Sequence, residues 1–480
     1  MKLKTLTTAM ILATVPMTGA FAAALDRSGQ SMAAFLQPGN YFEAGISVLD
    51  PDVSGKEAGT SETRRNIDDM AGDYYFPSAA LKFQPTEKFS VGILYDQPYG
   101  ADAEYQGTNV FTSNPGTDTI LSTGAINNIV RARAVAALEA LGAPVNEQTL
   151  AGAEAQVRSS PAFQQLTGAL AAGNNFLGEG NTKVEVDTQN LSLVFGYQPT
   201  ENWNIYGGGV YQTVKGNLSL RGQAYSLFNG YDATFKETSG TGWLAGLAFQ
   251  IPDIALKASV TYRSEIDHDI SASEDLSLLN FPLLTTVLGG LGVSPAQLAT
   301  LDDSGKTKIT TPQSVNLDFQ TGVMANTVAF ANVRWVDWSN FSIRPYQFGN
   351  VSEAVGPLIG RPNGFNLVEY EDDQISATVG VGRKFNDLWA GNVSVGWDSG
   401  AGNPVSTLGP TEGYWNVGLG IQYSPTPSTF IAGGVKYFML GDATAHTGAY
   451  SVPGNAQNAQ VAEFEDNDAW AYGLKMGYRF

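Results

Sequence analysis

The chain ends on the stretch "AWAYGLKMGYRF", residues 469–480, in which large apolar residues alternate strictly with small or cationic ones. The large residues occupy the even positions: Trp470, Tyr472, Leu474, Met476, Tyr478 and Phe480. A period of two residues predicts a β-strand with one apolar face, because successive side chains of a strand point to opposite sides. Since chain termini usually fray, a regular strand that reaches the last residue predicts that a sheet holds this terminus.

Similar alternation recurs along the chain, for example at 256–263, 389–398 and 415–423. The connections between such segments are alternately very short and very long, and aromatic residues flank most of the short ones. Reading strands between them gives about fourteen, which predicts an all-β fold: a transmembrane antiparallel β-barrel with short periplasmic turns and long extracellular loops. A soluble β-sandwich is the alternative, but it would leave the aromatic residues at the short turns unexplained.

The first residues and the composition indicate export. Lys2 and Lys4 precede an apolar run at 9–17, and Ala20 and Ala22 supply the small residues of a cleavage site, so we predict a signal peptide at 1–23. The chain has no Cys, so disulfide bonds do not stabilise it. A formal net charge of −19 argues against nucleic acid as a partner.

Two long connections, at 99–182 and 266–307, contain helical periodicity. Within them, 119–142 is predicted to form an amphipathic helix and 272–300 a second, more apolar one. Their apolar faces include Ile126, Ile129, Leu138, Phe281, Leu284 and Leu288. We expect the two helices to pack on each other above the barrel, and the cleft between them is a candidate groove for an apolar ligand.

At this point the chain resembles the FadL family of outer-membrane transporters for long-chain fatty acids and other hydrophobic molecules. The stretches that carry the resemblance are "YFEAGISVLDPDVSG" at 41–55, "YYFPSAALKFQPTEKFSVGILYDQPYG" at 74–100, "LKASVTYRSEI" at 256–266, "VRWVDWSNF" at 333–341 and "GWDSGAGNP" at 396–404. Single stretches are weak signals, but their order and spacing span essentially the whole chain after the signal peptide.

The resemblance implies a barrel at 41–480 whose lumen is plugged by an N-terminal hatch at 24–40, with Phe35 and Leu36 among the ligand contacts. It also implies passive transport: an apolar molecule is captured between the helical loops and leaves sideways into the membrane at a kink in the third strand. The matching kink residues here are Asp96, Pro98, Tyr99 and Gly100. Pro98 lacks a backbone donor, so the alternative is that it merely ends the strand.

The sequence departs from the family pattern in two places. The hatch is much shorter and lacks the Asn-Pro-Ala motif common in the family, so a hatch movement triggered by ligand is in doubt. The region expected to hold a basic residue for a carboxylate reads Glu369-Tyr370-Glu371-Asp372-Asp373. The remaining basic candidates for a ligand headgroup are Lys215, Arg221 and Arg263; by strand parity Arg263 and Glu265 both face the lumen, where pairing with each other is the simpler role.

The sequence shows no enzyme signature. Its two histidines, His268 and His446, lie in predicted loops where we expect them to be solvated, and no catalytic constellation accompanies them. No cofactor or metal is expected. The predicted function is passive outer-membrane transport of hydrophobic small molecules, foremost long-chain fatty acids; a diffusion porin for polar solutes and a channel for aromatic or aliphatic hydrocarbons are the alternatives. The expected partners are the ligand, lipopolysaccharide and membrane lipid, and the barrel-assembly machinery, with the chain as a monomer.

Overall fold

The computed structural model describes residues 25–114, 116–449 and 460–480, so the signal peptide predicted at 1–23 lies outside the described residues. Among the described residues, no helix is long and apolar enough to cross a membrane. Fourteen antiparallel strands form one closed sheet in chain order.

The sheet closes because the last strand pairs with the first. The register runs from Tyr41 opposite Arg479 to Asp52 opposite Asp468, and the amide of Phe480 reaches the carbonyl of Asn40. The barrel strands are β1 Tyr41–Asp52, β2 Tyr74–Phe83, β3 Phe89–Asp96 with Gly100–Glu104, β4 Lys183–Thr200, β5 Trp203–Leu220, β6 Tyr231–Ile251, β7 Leu256–Arg263 with Ile266–Leu276, β8 Lys306–Thr311 with Ser314–Met324, β9 Thr327–Val336, β10 Gln374–Lys384, β11 Trp389–Asp398, β12 Tyr414–Thr426, β13 Thr429–Leu440 and β14 Asp468–Arg479. The predicted fourteen-stranded barrel is therefore confirmed.

The outer face of the barrel is apolar. The large even-numbered residues of β14 and the terminal Phe480 are 41–55% exposed, whereas Ala471 and Lys475 on the other face are buried. Closure pairs the first strand with the last, so that neither is an open sheet edge, and the apolar residues of the outer face are left exposed. This is the surface that a barrel presents to lipid.

A layer of loops and helices covers the barrel on the side opposite the C-terminal residue Phe480. Its helices are α1 Thr123–Ala140, α2 Glu147–Ser159, α3 Pro161–Gly173, α4 Leu284–Leu291, α5 Pro295–Leu298 and α6 Tyr346–Val355, with 3-10 turns at Asn174–Phe176, Gln223–Phe228, Pro252–Ile254, Ser277–Asn280 and Gly356–Ile359. Five short strands form a small sheet in the same layer: Gly55–Glu57, Asn66–Ile67, Val405–Ser406, Ala443–His446 and Gln460–Phe464. Two further pairs are Thr112–Ser113 with Gly180–Asn181 and Ser342–Ile343 with Val368–Glu369.

The two predicted loop helices differ in outcome. Helix α1 lies within the predicted segment 119–142. The prediction of one helix over 272–300 was wrong in its first part, because 272–276 extends β7 and pairs with 231–235 of β6. A short apolar run does not distinguish a strand from a helix by periodicity alone, and the helix α4 begins only after Pro282.

Candidate functional site

The layer of loops and helices encloses an apolar cavity of about 750 Å³, here called the outer cavity. Helix α1 forms one wall, and the turn Gln223–Phe228 and helix α6 with the turn after it form the others. Phe228 packs against Phe348 and Phe365, with ring centroids 4.4 and 5.8 Å apart. Aromatic and aliphatic walls of this size are typical of a site for an apolar small molecule.

The residues predicted for the groove lie at different depths. Ile129 lines the outer cavity and Ile126 is half-buried one turn earlier on α1, whereas Leu138 packs at the junction of α1 and α2. The three residues from the second predicted helix, Phe281, Leu284 and Leu288, are buried in the core beneath the cavity. Of the six, only Ile129 is among the residues that line this cavity.

Sequence reasoning missed the wall formed by α6. We predicted helices only in the connections 99–182 and 266–307, yet in the segment 339–369 Phe348, Val351 and Val355 follow one another at spacings of three and four residues. That spacing is the signal of an amphipathic helix. Phe348 and Val355 line the outer cavity, together with Leu358 and Ile359 of the following turn.

Two smaller pockets lie next to one another, and one of them shares a lining residue with the outer cavity. A pocket of about 70 Å³, the middle pocket, shares Leu408 with the outer cavity and also contacts Leu25. A third pocket of about 40 Å³, the aromatic pocket, shares Leu25 with the middle pocket. Tyr99 and Trp338 line the aromatic pocket and meet edge to face, with centroids 5.6 Å apart.

The barrel wall is interrupted between β2 and β3. Ala79 pairs with Tyr95 on one side of the interruption, and Ala71 pairs with Ala103 on the other. Both pairs follow the same register, so the residues between them, 73–78 and 96–101, would be partners in a continuous sheet, but they do not form a ladder. We call this interruption the wall window. A pocket of about 90 Å³ occupies it, lined by Pro77, Asp96 and Gln97 among others.

Backbone hydrogen bonds explain why β3 bends away from β2. Between Asp96 and Gly100 β3 has one residue more than the facing part of β4, which is a β-bulge. The hydroxyl of Thr188 on β4 accepts from the amide of Tyr99 at 2.9 Å and donates to its carbonyl at 2.6 Å. On the other side, the amide of Arg27 donates to Pro98 at 2.6 Å and the amide of Gly100 donates to Leu25 at 3.0 Å. The backbone N–H and C=O groups at the kink thus have hydrogen-bond partners without β2.

The N-terminal residues 25–40, here called the hatch segment, lie inside the barrel. Phe35 is 1% exposed and packs against Tyr206, and Leu36 borders a lumen cavity of about 170 Å³. Polar side chains of the wall donate to carbonyls of the segment: Asn316 to Gly29 (2.7 Å), Arg263 to Gln30 (3.3 Å), Lys257 to Leu36 (2.6 Å) and Lys82 to Gln37. Asp26 forms a buried ion pair with Arg334 of β9, 2.5 Å between Oδ2 and Nε.

The three cations proposed for a headgroup lie apart from one another. Lys215 pairs with Asp187 at 3.4 Å on the outer wall, and Arg221 pairs with Asp232 at 2.7 Å. Arg263 is 6% exposed and contacts the hatch segment.

The expected pairing of Arg263 with Glu265 was wrong, because β7 is interrupted at Ser264 and Glu265. This interruption reverses the alternation of faces, so Glu265 is exposed while Ile266 and His268 turn inward.

The same reversal corrects the expectation for His268. It is fully buried on β7, and its Nε2 lies 2.8 Å from Oε1 of Gln212, which also accepts from Thr311 at 2.7 Å. His446 is also buried, at 6% exposure. Neither histidine is a solvated loop residue, since strand bulges and loop packing determine burial and these cannot be read from local sequence.

Comparison with known proteins gives a family and a fold. The profile of the family described as "Outer membrane protein transport protein (OMPP1/FadL/TodX)" matches residues 20–480. The fold is similar to that of a Pseudomonas aeruginosa FadL homologue, with a TM-score of 0.60 and 12% identity, covering 97% of this chain and 98% of that one. It is also similar to the Pseudomonas putida toluene transporter TodX, with a TM-score of 0.54 and 11% identity, covering 97% and 99%. No protein of curated function matches the chain.

Proposed function

We propose that this chain, which belongs to the FadL/TodX family of outer-membrane transport proteins, passes long-chain fatty acids from the outer cavity to the wall window and releases them sideways into the membrane. The chain is a β-barrel of the Gram-negative outer membrane, and members of its family are transport channels and not enzymes.

The observation that carries the proposal is a wall window that is linked to the outer cavity through pockets with shared lining residues. Leu408 borders both the outer cavity and the middle pocket, and Arg27 borders both the middle pocket and the window. In the sheet, Pro77 of the window lies beside Ile46, whose side chain is 45% exposed on the apolar outer face. A ligand that leaves here would meet the acyl region of the membrane directly.

Transfer along this path needs no energy source. Each methylene group that leaves water contributes ~0.8 kcal/mol, so a long acyl chain is captured by burial alone. The membrane at the end of the path offers the same gain. Metabolism of the ligand inside the cell then maintains the direction of flow.

A reversible bridge across the window tests the exit route. The chain has no Cys of its own, so Ser78→Cys and Gln97→Cys can be joined by a bismaleimide that contains a reducible disulfide. We expect the bridge to lower uptake of radiolabelled oleate to the rate of a deletion strain, and reduction to restore it. The control is Gln97→Cys alone with a monofunctional maleimide. Undiminished uptake through the bridged protein would refute lateral exit.

A second candidate is the uptake of neutral hydrocarbons, and the aromatic pocket favours it. Tyr99, Trp338 and Phe341 line this small space, and Lys215, the cation at its edge, is paired with Asp187. Such a pocket suits a small ring at least as well as an acyl chain. Competition separates the two candidates: toluene that blocks oleate uptake at low concentration, while oleate does not block toluene uptake, would favour the hydrocarbon.

The hatch segment argues against a porin for polar solutes, because it crosses the lumen. A porin would give a large and steady ion conductance in planar bilayers, whereas we expect a conductance near the background.

A further inference from the structure

Helix α1 carries one charged side chain into the outer cavity. Among the residues that the structure describes, twenty-five line this cavity, and Arg133 is the only Lys, Arg, Asp or Glu of these twenty-five. Ala125, Ile129 and Ala132 of the same helix also line the cavity. Residues 450–459, which follow the lining residue Ala449, contain no charged side chain in the sequence.

The position of Arg133 leaves it able to bind an anion. One of its amino groups, Nη2, donates to the carbonyl of Gly290 in helix α4 at 2.8 Å, which engages one of the five N–H donors of a guanidinium. None of the ion pairs among the described residues involves Arg133. The side chain is half-buried, so its charge is partly shielded from water by apolar walls.

We propose that Arg133 is a specificity-determining residue of the outer cavity, which binds the carboxylate of an amphipathic ligand whose apolar tail lies against α1 and α6. This inference rests on the proposed function and deepens it, because it adds a headgroup contact to a site described so far by its apolar walls. A guanidinium binds a carboxylate through two parallel hydrogen bonds. A neutral hydrocarbon or an ester of the same length gains nothing from this contact.

Two other basic residues of this layer are less suitable. Arg221 already forms a bidentate contact with Asp232, at 2.8 and 2.7 Å. Arg131 lies two residues before Arg133 on α1 and is exposed, but it does not line the outer cavity. Arg131 therefore serves as a matched control, since the same change on the same helix alters the charge outside the cavity.

The test compares two probes that differ only in the headgroup. Full-length protein in lipid nanodiscs is titrated with tritiated palmitate and with methyl palmitate, and binding to empty nanodiscs is subtracted. We expect Arg133→Gln to weaken palmitate binding roughly five- to tenfold and to leave methyl palmitate unchanged. Arg133→Lys should retain only part of the preference for palmitate, because an ammonium keeps the charge but cannot form the two parallel hydrogen bonds. Arg131→Gln should change neither probe.

Three outcomes would overturn the proposal. If Arg133→Gln weakens both probes equally, the residue acts by holding α1 to Gly290 and not by binding a carboxylate. If it weakens neither, the charge does not contribute to binding. If the wild-type protein binds neither probe, the proposed function fails together with the role of Arg133. By contrast, a selective loss of palmitate binding combined with unchanged uptake through the bridged window would keep the role of Arg133 and refute only the exit route.

Discussion

The buried ion pair between Asp26 and Arg334 is expected to hold the hatch segment in the barrel. Both side chains are below 5% exposure, and the pair joins the N-terminal residues to β9. Asp26 also sits opposite Tyr99 in the short backbone pairing that holds the kink of β3 away from β2. Loss of the pair should therefore affect both the plug and the wall window.

The size of the expected effect follows from the burial of the ion pair. Removal of one partner of a buried pair leaves the other charge uncompensated and costs ~3–5 kcal/mol. For Asp26→Ala we expect the lower end, because Arg334 keeps hydrogen bonds to Asn316 and Gln30, at 2.6 and 3.1 Å. The fourteen-stranded barrel does not depend on this contact, so the cost falls on attachment of the hatch segment. A loss of ~3 kcal/mol raises the detached fraction about a hundredfold.

Thiol labelling measures that fraction. Ala34 is 6% exposed in the hatch segment, so Ala34→Cys in the otherwise Cys-free chain should react with a maleimide only when the segment detaches. We expect Asp26→Ala to speed labelling about a hundredfold, and Asp26→Ala with Arg334→Met to label more slowly than the single variant, because no unpaired charge is left.

The control breaks an exposed pair. Lys384 contacts Asp387 in a short turn where the Asp387 side chain is 97% exposed, so Lys384→Gln should not alter labelling. Heat-dependent migration on gels shows whether each variant keeps a folded barrel. If Asp26→Ala labels at the wild-type rate in a folded barrel, the ion pair does not hold the segment and the reasoning fails.

Three further predictions concern the wall, a loop and the terminus. A Cβ at Gly208 would lie 1.9 Å from the carbonyl oxygen of Leu193, whereas one at Gly209 would meet nothing within 4 Å. Gly208→Ala should therefore strongly reduce the folded fraction on gels, and Gly209→Ala should not. Equal effects of the two variants would contradict this prediction. Burial raises the pKa of Glu412, in the loop after β11, to about 7. The unfolded carboxyl has a pKa near 4.5, so the folded loop should lose stability as the pH rises from about 4.5 to about 7. Glu412→Gln should therefore slow hydrogen exchange of 399–413 at pH 8 but not at pH 4. Equal exchange of the variant and the wild type at pH 8 would refute this role of Glu412. Phe480 packs edge to face on Phe83, with centroids 5.7 Å apart. A terminal aromatic at this place resembles the signal by which the assembly machinery recognises barrel proteins. We therefore expect Phe480→Ser to lower the amount inserted in cells while refolding in detergent changes little, and normal insertion would exclude a role of Phe480 in recognition.

The barrel could be predicted because the alternation of large and small residues that marks each strand is a local pattern in the sequence. In β14 every second residue from Trp470 to Tyr478 is large, and the register with β1 is unbroken over all twelve pairs, so this face stays outward. The inner and outer faces of a strand in a closed barrel wall can be assigned from the alternation of its own residues. The same rule failed at Glu265, where an interruption reverses the faces and turns His268 inward.

The wall window could not be decided from sequence for a physical reason. Pro98 shows that one donor is missing, which fits both a strand end and a kink within a strand. The distinction depends on two contacts that are remote in the chain. Ala71 pairs with Ala103 beyond the interruption, so the strand continues, and Leu25 and Arg27 take the place of β2 as partners of the kink. A segment some seventy residues earlier thus supplies the hydrogen bonds that a neighbouring strand would otherwise make. The hatch segment is thus joined to the kink by backbone hydrogen bonds, so we expect loss of the segment to change the window as well as the lumen.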